Sequence, residues 1–372
     1  MRVPRPTFSV AVTLLLLAAA SCRLGDADEL VFSHVVSLTW TFMTDPNGGE
    51  EAWPQGWGEL TNVGVQGSFE LGVFLRKRYQ QLLGDHYSAF QVKVLTTKFN
   101  RTIMTAQAAL AGLFPPKGRQ RWSETLDWQP VPIHWELPVY PNCPAASKAY
   151  EEQLLTSAKL RKANEENGDF FRFLAKHSGE DVTDIESFRD SLLDPLLAIH
   201  THPETHTMPT WATDEVLAKM RRLADVFHGV RLDANPVAVK LWGGPMVRDV
   251  RERLLAIRDN TADPRLKLSI HSAHGASTAM FFAVVGLPST PYGEYSAAIM
   301  LELYKNSRGE LTVKLFYRNG TGAEPFELEM PYCRCPCTLE KFLDGTSYLD
   351  ADDWEAECGL AGDEKEAAWG GH

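Results

Sequence analysis

Two histidines stand where the end of a strand could present them to a substrate: His34, within the apolar run Leu30 to Val36, and His274, just after Lys267 to Ile270. An imidazole can attack as a neutral nucleophile or move a proton, provided a partner lies within hydrogen-bond reach. Each also has a plainer reading, as a histidine packed inside a strand or one merely hydrogen-bonded at its end. His200, His202 and His206 are of the type that binds metals, but they share a short loop rich in Pro and Thr that has no carboxylate at the right spacing. The run Cys333-Arg334-Cys335-Pro336-Cys337 lacks the second ligand cluster of a zinc finger. Gly-x-Ser-x-Gly, P-loop and His-Glu-x-x-His motifs are absent from the sequence. No metal site and no cofactor are therefore expected, and Trp53, Trp57 and Trp242 are expected in core and rim packing rather than in a ligand cage.

The elements that must position these residues are legible from their periodicity. Leu30 to Val36 reads as the first buried strand of a parallel sheet, and Val92 to Leu95 as the second. Residues 63 to 83 show helical spacing through Val65, Phe69, Leu71, Val73, Leu75 and Leu82, and Thr102 to Leu113 forms a second helix. Strand, helix, strand, helix at this pitch predicts a layered α/β domain with a mostly parallel central sheet. From 145 to 235 the signals turn helical, with Tyr150 to Asn164, a capping box from Thr183 to Glu186, and Thr213 ahead of Leu217 and Met220. The core resumes with a helix at Val250 to Ile257 and a strand at Lys267 to Ile270. Met300 to Tyr304 and Leu311 to Tyr317 then form a hairpin about Asn306-Ser307-Arg308-Gly309.

Arg2 and Arg5, the apolar run Val10 to Ala20 and the small residues before Cys22 have the order of a secretory signal peptide over residues 1–22. No later segment is long and apolar enough to span a bilayer. Secretion is expected, with a lysosomal destination as the lesser alternative. The net charge is −11, and −13 without Arg2 and Arg5, which argues against nucleic acid or an anionic membrane as partner. Asn319-Gly320-Thr321 and Asn100-Arg101-Thr102 are N-glycosylation acceptors, the first being the better placed, just past the hairpin.

Three blocks carry a specific resemblance: Trp53-Pro54-Gln55-Gly56-Trp57-Gly58-Glu59-Leu60-Thr61, Glu70-Leu71-Gly72 with Arg76-Lys77-Arg78-Tyr79, and Ala109-Leu110-Ala111-Gly112-Leu113-Phe114-Pro115-Pro116. With Trp128 to His134, Ser272-Ala273-His274 and Phe316 to Asn319, the chain resembles the histidine acid phosphatases, especially the lysosomal and prostatic types. That resemblance implies a core of residues 27–140 and 236–330, an inserted helical cap over 141–235, and a disulfide-bearing tail over 331–372. It also implies pairing of Cys143 with Cys358 and of Cys333 with Cys337. With Cys22 set aside, Cys335 is left free or available for an intermolecular bridge. The expected activity is hydrolysis of phosphomonoesters at acid pH through a phosphohistidine, and by analogy a homodimer.

The residues that the resemblance makes catalytic are largely replaced. The family's Arg-His-Gly signature should stand between Leu30 and Pro46 and occurs nowhere in the sequence. In one alignment His34 takes the nucleophile's place, with Ser33 and Ser37 where arginines belong. In the other, favoured because strand length and the Phe42 to Pro46 register are both kept, His34 lies within the strand and the signature is missing. Leu95 replaces the third phosphate-binding arginine, while Arg101 matches a structural one. His274 matches the family's second histidine, and Gly275 replaces the acid Asp. Each lost transition-state donor costs on the order of 10² to 10³ in rate, so little or no activity is expected. The alternative is an active phosphatase that uses His34 or His274 in a rebuilt site. A phosphomonoester or another small molecule is the expected ligand.

Overall fold

The computed structural model of the protein describes residues 28–39, 53–135, 142–232, 235–287, 293–350 and 353–360. The expected signal peptide and the segment 40–52, which holds Phe42 to Pro46, lie outside these residues.

Six strands, β1 (Glu29–Thr39), β2 (Val92–Thr96), β3 (Leu268–His274), β4 (Ala298–Lys305), β5 (Leu311–Arg318) and β6 (Phe326–Leu328), form one sheet in the order β2-β3-β1-β4-β5-β6. β2, β3 and β1 run parallel, whereas β4, β5 and β6 are added antiparallel. The expected parallel sheet is thus the half that carries the candidate chemistry, within a mixed whole. β1 runs three residues beyond the expected Val36, because Ser37, Leu38 and Thr39 continue the pairing with β3.

Helices cover both faces of the sheet, which is why the central strands are buried on both sides. One face carries Asn62–Arg78 and Asn100–Leu113. The other carries Gly244–Arg258, Gly275–Val284 and the C-terminal Leu339–Gly345. The face of Asn62–Arg78 that packs inward differs from the one its apolar spacing suggests. Val65, Phe69 and Val73 are exposed, while Gly67, Ser68, Leu71, Gly72 and Leu75 are buried. The cause is backbone proximity: a Cβ on Gly72 would overlap the Ala109 carbonyl, and one on Gly112 the Phe69 carbonyl. Small residues let the two helices touch, so size rather than hydrophobicity selects the buried face.

Residues 144–232 build a helical layer with its own apolar cluster around Phe171, Leu174, Phe188, Leu196, Met220 and Phe227. Fully burying one such side chain stabilises by about 1.5–3 kcal/mol. The expected helix Tyr150 to Asn164 is divided at Ser157, which caps Ala158–Glu166 by accepting the Leu160 N–H. The capping box lies one residue later than expected, at Asp184 and Ser187, because the Asp carboxylate reaches the Ser187 N–H.

Two disulfides between described residues fasten the tail. Cys143–Cys358 joins the start of the helical layer to the C-terminal region, and Cys333–Cys337 closes a local loop. Cys335 is disulfide-bonded as well, and no described cysteine is free. The expected spare thiol at Cys335 is corrected, since its sulfur is already taken up in a disulfide. Arg251 ties the helix Gly244–Arg258 to the same tail through both oxygens of Asp350, at 2.9 and 2.7 Å, and through the Thr346 hydroxyl at 2.9 Å.

Candidate functional site

The carboxyl ends of β2, β3 and β1 converge on His274. In the parallel register Thr39 stands opposite His274, and Leu95 opposite His271. His34 pairs with Ser269, five residues upstream of Thr39 and so about 16 Å away along the strand. The structure therefore separates the two histidines proposed for chemistry. Position 39, the one that meets His274, carries a threonine.

The partners of His274 determine its state. It is the N-cap residue of Gly275–Val284, its backbone N–H donating to Ser277 Oγ at 3.3 Å. Its Nε2 lies 3.1 Å from Thr97 Oγ1. Thr97 Oγ1 in turn lies 2.8 Å from Thr102 Oγ1, and the Thr102 hydroxyl donates to the Phe99 carbonyl at 2.8 Å. Two threonines thus link the imidazole to the Phe99 carbonyl. Phe99 closes over the imidazole edge-on with centroids 5.1 Å apart. Burial, aided by the Arg101 charge, pushes His274 down to about 4, so the ring is neutral near pH 7.

Among the described residues, Leu95 and Gly275 stand at the two positions where an anion ligand and an acid would be expected. Leu95 is buried and belongs to the apolar cluster beneath the helices Gly244–Arg258 and Gly275–Val284. Gly275 opens the helix that His274 caps and offers no proton. Arg101 lies over the Phe99 ring at 4.1 Å, and the Lys98 ammonium over Trp135 at 5.2 Å.

A cavity of about 290 Å³, which His274 does not line, lies between the start of the helix Asn62–Arg78, the helical layer and the loops before β4 and after β5. Its lining is mostly apolar in area, set with hydroxyls from Thr61, Ser68, Thr105, Thr201, Ser296 and Thr321 and with Glu59, Glu294 and His202. No Lys or Arg is among the described lining residues. Glu59 accepts from Asn100 Nδ2 at 2.8 Å, and Glu294 pairs with Arg221 at 2.7 Å. Thr105 Oγ1 is buried with no partner. His202 contacts the Ala198 carbonyl through Nδ1 at 2.7 Å and the Thr61 hydroxyl through Nε2 at 2.9 Å. His206 stacks on buried Trp53 with centroids 3.9 Å apart. No group of three metal-ligating side chains occurs among the described residues. Trp242 packs beside the Cys143–Cys358 bridge, while Trp57 is exposed.

Asn319 also lines this cavity; its Oδ1 accepts from the Glu294 backbone and the Tyr317 hydroxyl, both at 3.0 Å. Asn100 is engaged through its amide nitrogen at the first turn of Asn100–Leu113.

Sequence reasoning missed a second polar centre, where His34, His271, Asp249 and Lys93 come together on one face of the sheet. Its signal was the interruption of a fully buried strand by Ser269 and His271, but the partners come from three other elements and share no local motif.

Residues 29–318 match the model of the histidine phosphatase superfamily (branch 2). The chain is 32% identical over 380 residues to prostatic acid phosphatase of Homo sapiens, covering 94% of this chain and 96% of that protein. It is 32% identical over 371 residues to lysosomal acid phosphatase of Xenopus laevis, covering 95% and 84%. Among solved structures, the apo form of Hafnia alvei phytase matches with a TM-score of 0.63 at 15% identity, covering 91% of this chain and 100% of that one. Multiple inositol polyphosphate phosphatase of Bifidobacterium longum, in complex with inositol hexasulfate, matches at 0.54 and 12%, covering 85% and 90%. At those identities the structural likeness speaks to the fold alone. The sequence matches go further, and by them this chain belongs to the histidine phosphatase superfamily, branch 2, as one of its histidine acid phosphatases.

Proposed function

We propose that this protein is a secreted, catalytically silent histidine acid phosphatase, and that the cavity at the start of the helix Asn62–Arg78 receives a small uncharged polyhydroxylated molecule instead of a phosphomonoester. The observation that carries this reading is the setting of His274: its Nε2 is engaged by Thr97, it opens a helix as the N-cap residue, and the position opposite it in the register is Thr39. A phosphoryl group in flight spreads charge over three oxygens and needs forked cationic donors and an acid for the leaving group. Leu95 and Gly275 supply neither. Attack through His34 is disfavoured by its burial within the strand, and attack through His274 by its capping role. A mostly apolar lining set with six Ser and Thr hydroxyls, among them the unpartnered Thr105 hydroxyl, favours a ligand that gives and accepts hydrogen bonds without charge.

Secretion through residues 1–22 is part of this reading, supported by the disulfides, which persist in oxidising compartments. So is a division into a core of 27–140 and 236–330, a cap of 141–235 and a tail of 331–372, supported by the separate apolar cluster of the helical layer.

The test is a chromogenic phosphomonoester assay at acid pH, paired with thermal-shift titrations against phosphate, vanadate and myo-inositol. A ligand that binds the native state must raise its melting temperature. No turnover, no shift with either anion and a rise with the polyol are expected. Sustained turnover, or stabilisation by vanadate, overturns the reading.

A further inference from the structure

The polar centre on the far face of the sheet is independent of the candidate site. His34 and Lys93 both pair with Ser269, and His271 lies two residues further along β3. With a period of two, His34, Lys93 and His271 share the face covered by the helix Gly244–Arg258. That helix contributes Asp249, 3.2 Å from His271 Nε2 and 3.4 Å from Lys93 Nζ. The approach to His271 has ion-pair distance but not hydrogen-bond geometry. The two imidazoles are fully buried and meet edge-on with centroids 4.2 Å apart. None of their four ring nitrogens has a hydrogen-bond partner, nor does the Ser269 hydroxyl.

The remaining neighbours offer no counter-charge. Across β4 the residue opposite His34 is Leu301. Helix Gly275–Val284 brings the apolar Phe281 and Phe282 to the same core. Arg253, on the helix that carries Asp249, lies over Phe32 at 5.5 Å and donates to the Asp263 and Leu266 carbonyls. One carboxylate therefore serves Lys93 and two imidazoles, a balance that holds only while the imidazoles are neutral.

We propose that His34, His271 and Asp249 form an acid-sensitive latch that keeps the helix Gly244–Arg258 on the sheet near neutral pH and releases it as the imidazoles take up protons. Asp249 and Lys93 are partly exposed at the β2 edge, so a proton reaches His271 first and His34 behind it. Burial holds His34 well below the usual histidine range, and the neighbouring His271 adds to the effect. Burial also lowers His271, against the pull of Asp249. Because the native values lie below that of a free histidine, about 6.5, the open state binds more protons as pH falls. The latch is intact above about 6.5 and weakens below it, the opening constant rising up to about tenfold per pH unit for each imidazole.

Amide hydrogen exchange of the secreted, disulfide-bonded protein between pH 7.5 and 5, corrected for intrinsic rates, tests this. Exchange in 244–258 and 267–274 is expected to rise in acid ahead of that in 62–78. The variants His34→Leu and His271→Phe should each flatten the profile by about one proton's worth, to about tenfold per pH unit. If a variant does not fold, exchange at the histidine C2 positions of the wild type reads each titration directly. Slow exchange at pH 7 with midpoints below the usual value supports the latch. Midpoints near 6.5, or exchange that rises evenly along the whole chain, overturn it.

Discussion

Thr97 and His274 meet at 3.1 Å between Oγ1 and Nε2, and this contact sets the histidine at the end of a chain of two hydroxyls. Thr97→Val should leave Nε2 without its partner, at a cost of about 1–3 kcal/mol. Urea denaturation checks this, and an unchanged midpoint would show that the chain of hydroxyls contributes nothing.

The same histidine gives stability a pH dependence. Its native value of about 4 lies below that of an unfolded histidine, so its contribution is full above about 6.5 and is lost as pH falls toward about 4. The loss amounts to about 3 kcal/mol. Comparing the pH profiles of wild type and His274→Asn, which does not titrate, isolates this term from the rest of the molecule.

Reinstalling the replaced residues should not restore hydrolysis. Leu95→Arg with Gly275→Asp returns an anion ligand and an acid, but the position opposite His274 remains Thr39. Leu95→Arg also introduces a charge into an apolar cluster. Turnover of a phosphomonoester by the double variant is expected at background, with a lower melting temperature; a burst of released product would contradict it.

Glu302 is fully buried and accepts from Arg78 at 2.9 Å, Tyr79 at 2.7 Å and Tyr304 at 2.6 Å. The carboxylate holds the Arg78 guanidinium more firmly protonated than usual and, with burial, pushes Tyr79 and Tyr304 up. Removing one partner of a buried pair costs about 3–5 kcal/mol. Arg78→Ala is expected to lose that much in chemical denaturation, and a loss within error would mean that water replaces the guanidinium.

Gly72→Ala tests the helix contact. Its Cβ would overlap the Ala109 carbonyl, backbone that cannot swing aside as a side chain can. A loss of at least about 1–3 kcal/mol is expected, whereas Gly84→Ala would act through its positive φ alone, since nothing lies near its Cβ.

Much of the architecture was legible because it rests on local pattern. The hairpin of β4 and β5, the strand Val92–Thr96 and the helix Asn100–Leu113 follow from periodicity and turn residues. The inward face of Asn62–Arg78 did not, because hydrophobic spacing cannot register that a neighbouring backbone demands glycine. The cap at Asp184 was missed by one residue because Thr183 and Asp184 both fit the pattern and only the Ser187 N–H distinguishes them.

The sequence by itself determined the family frame and the pairs Cys143–Cys358 and Cys333–Cys337, since these are matters of which residue occupies which position. Tertiary structure alone decided what the remaining histidines do. The pairing of β1 with β3 sets Thr39 opposite His274 and seats His34 against His271, five residues upstream. A histidine's role depends on which groups satisfy its two nitrogens, and those groups reach His274 and His34 from strands and helices far apart in the chain.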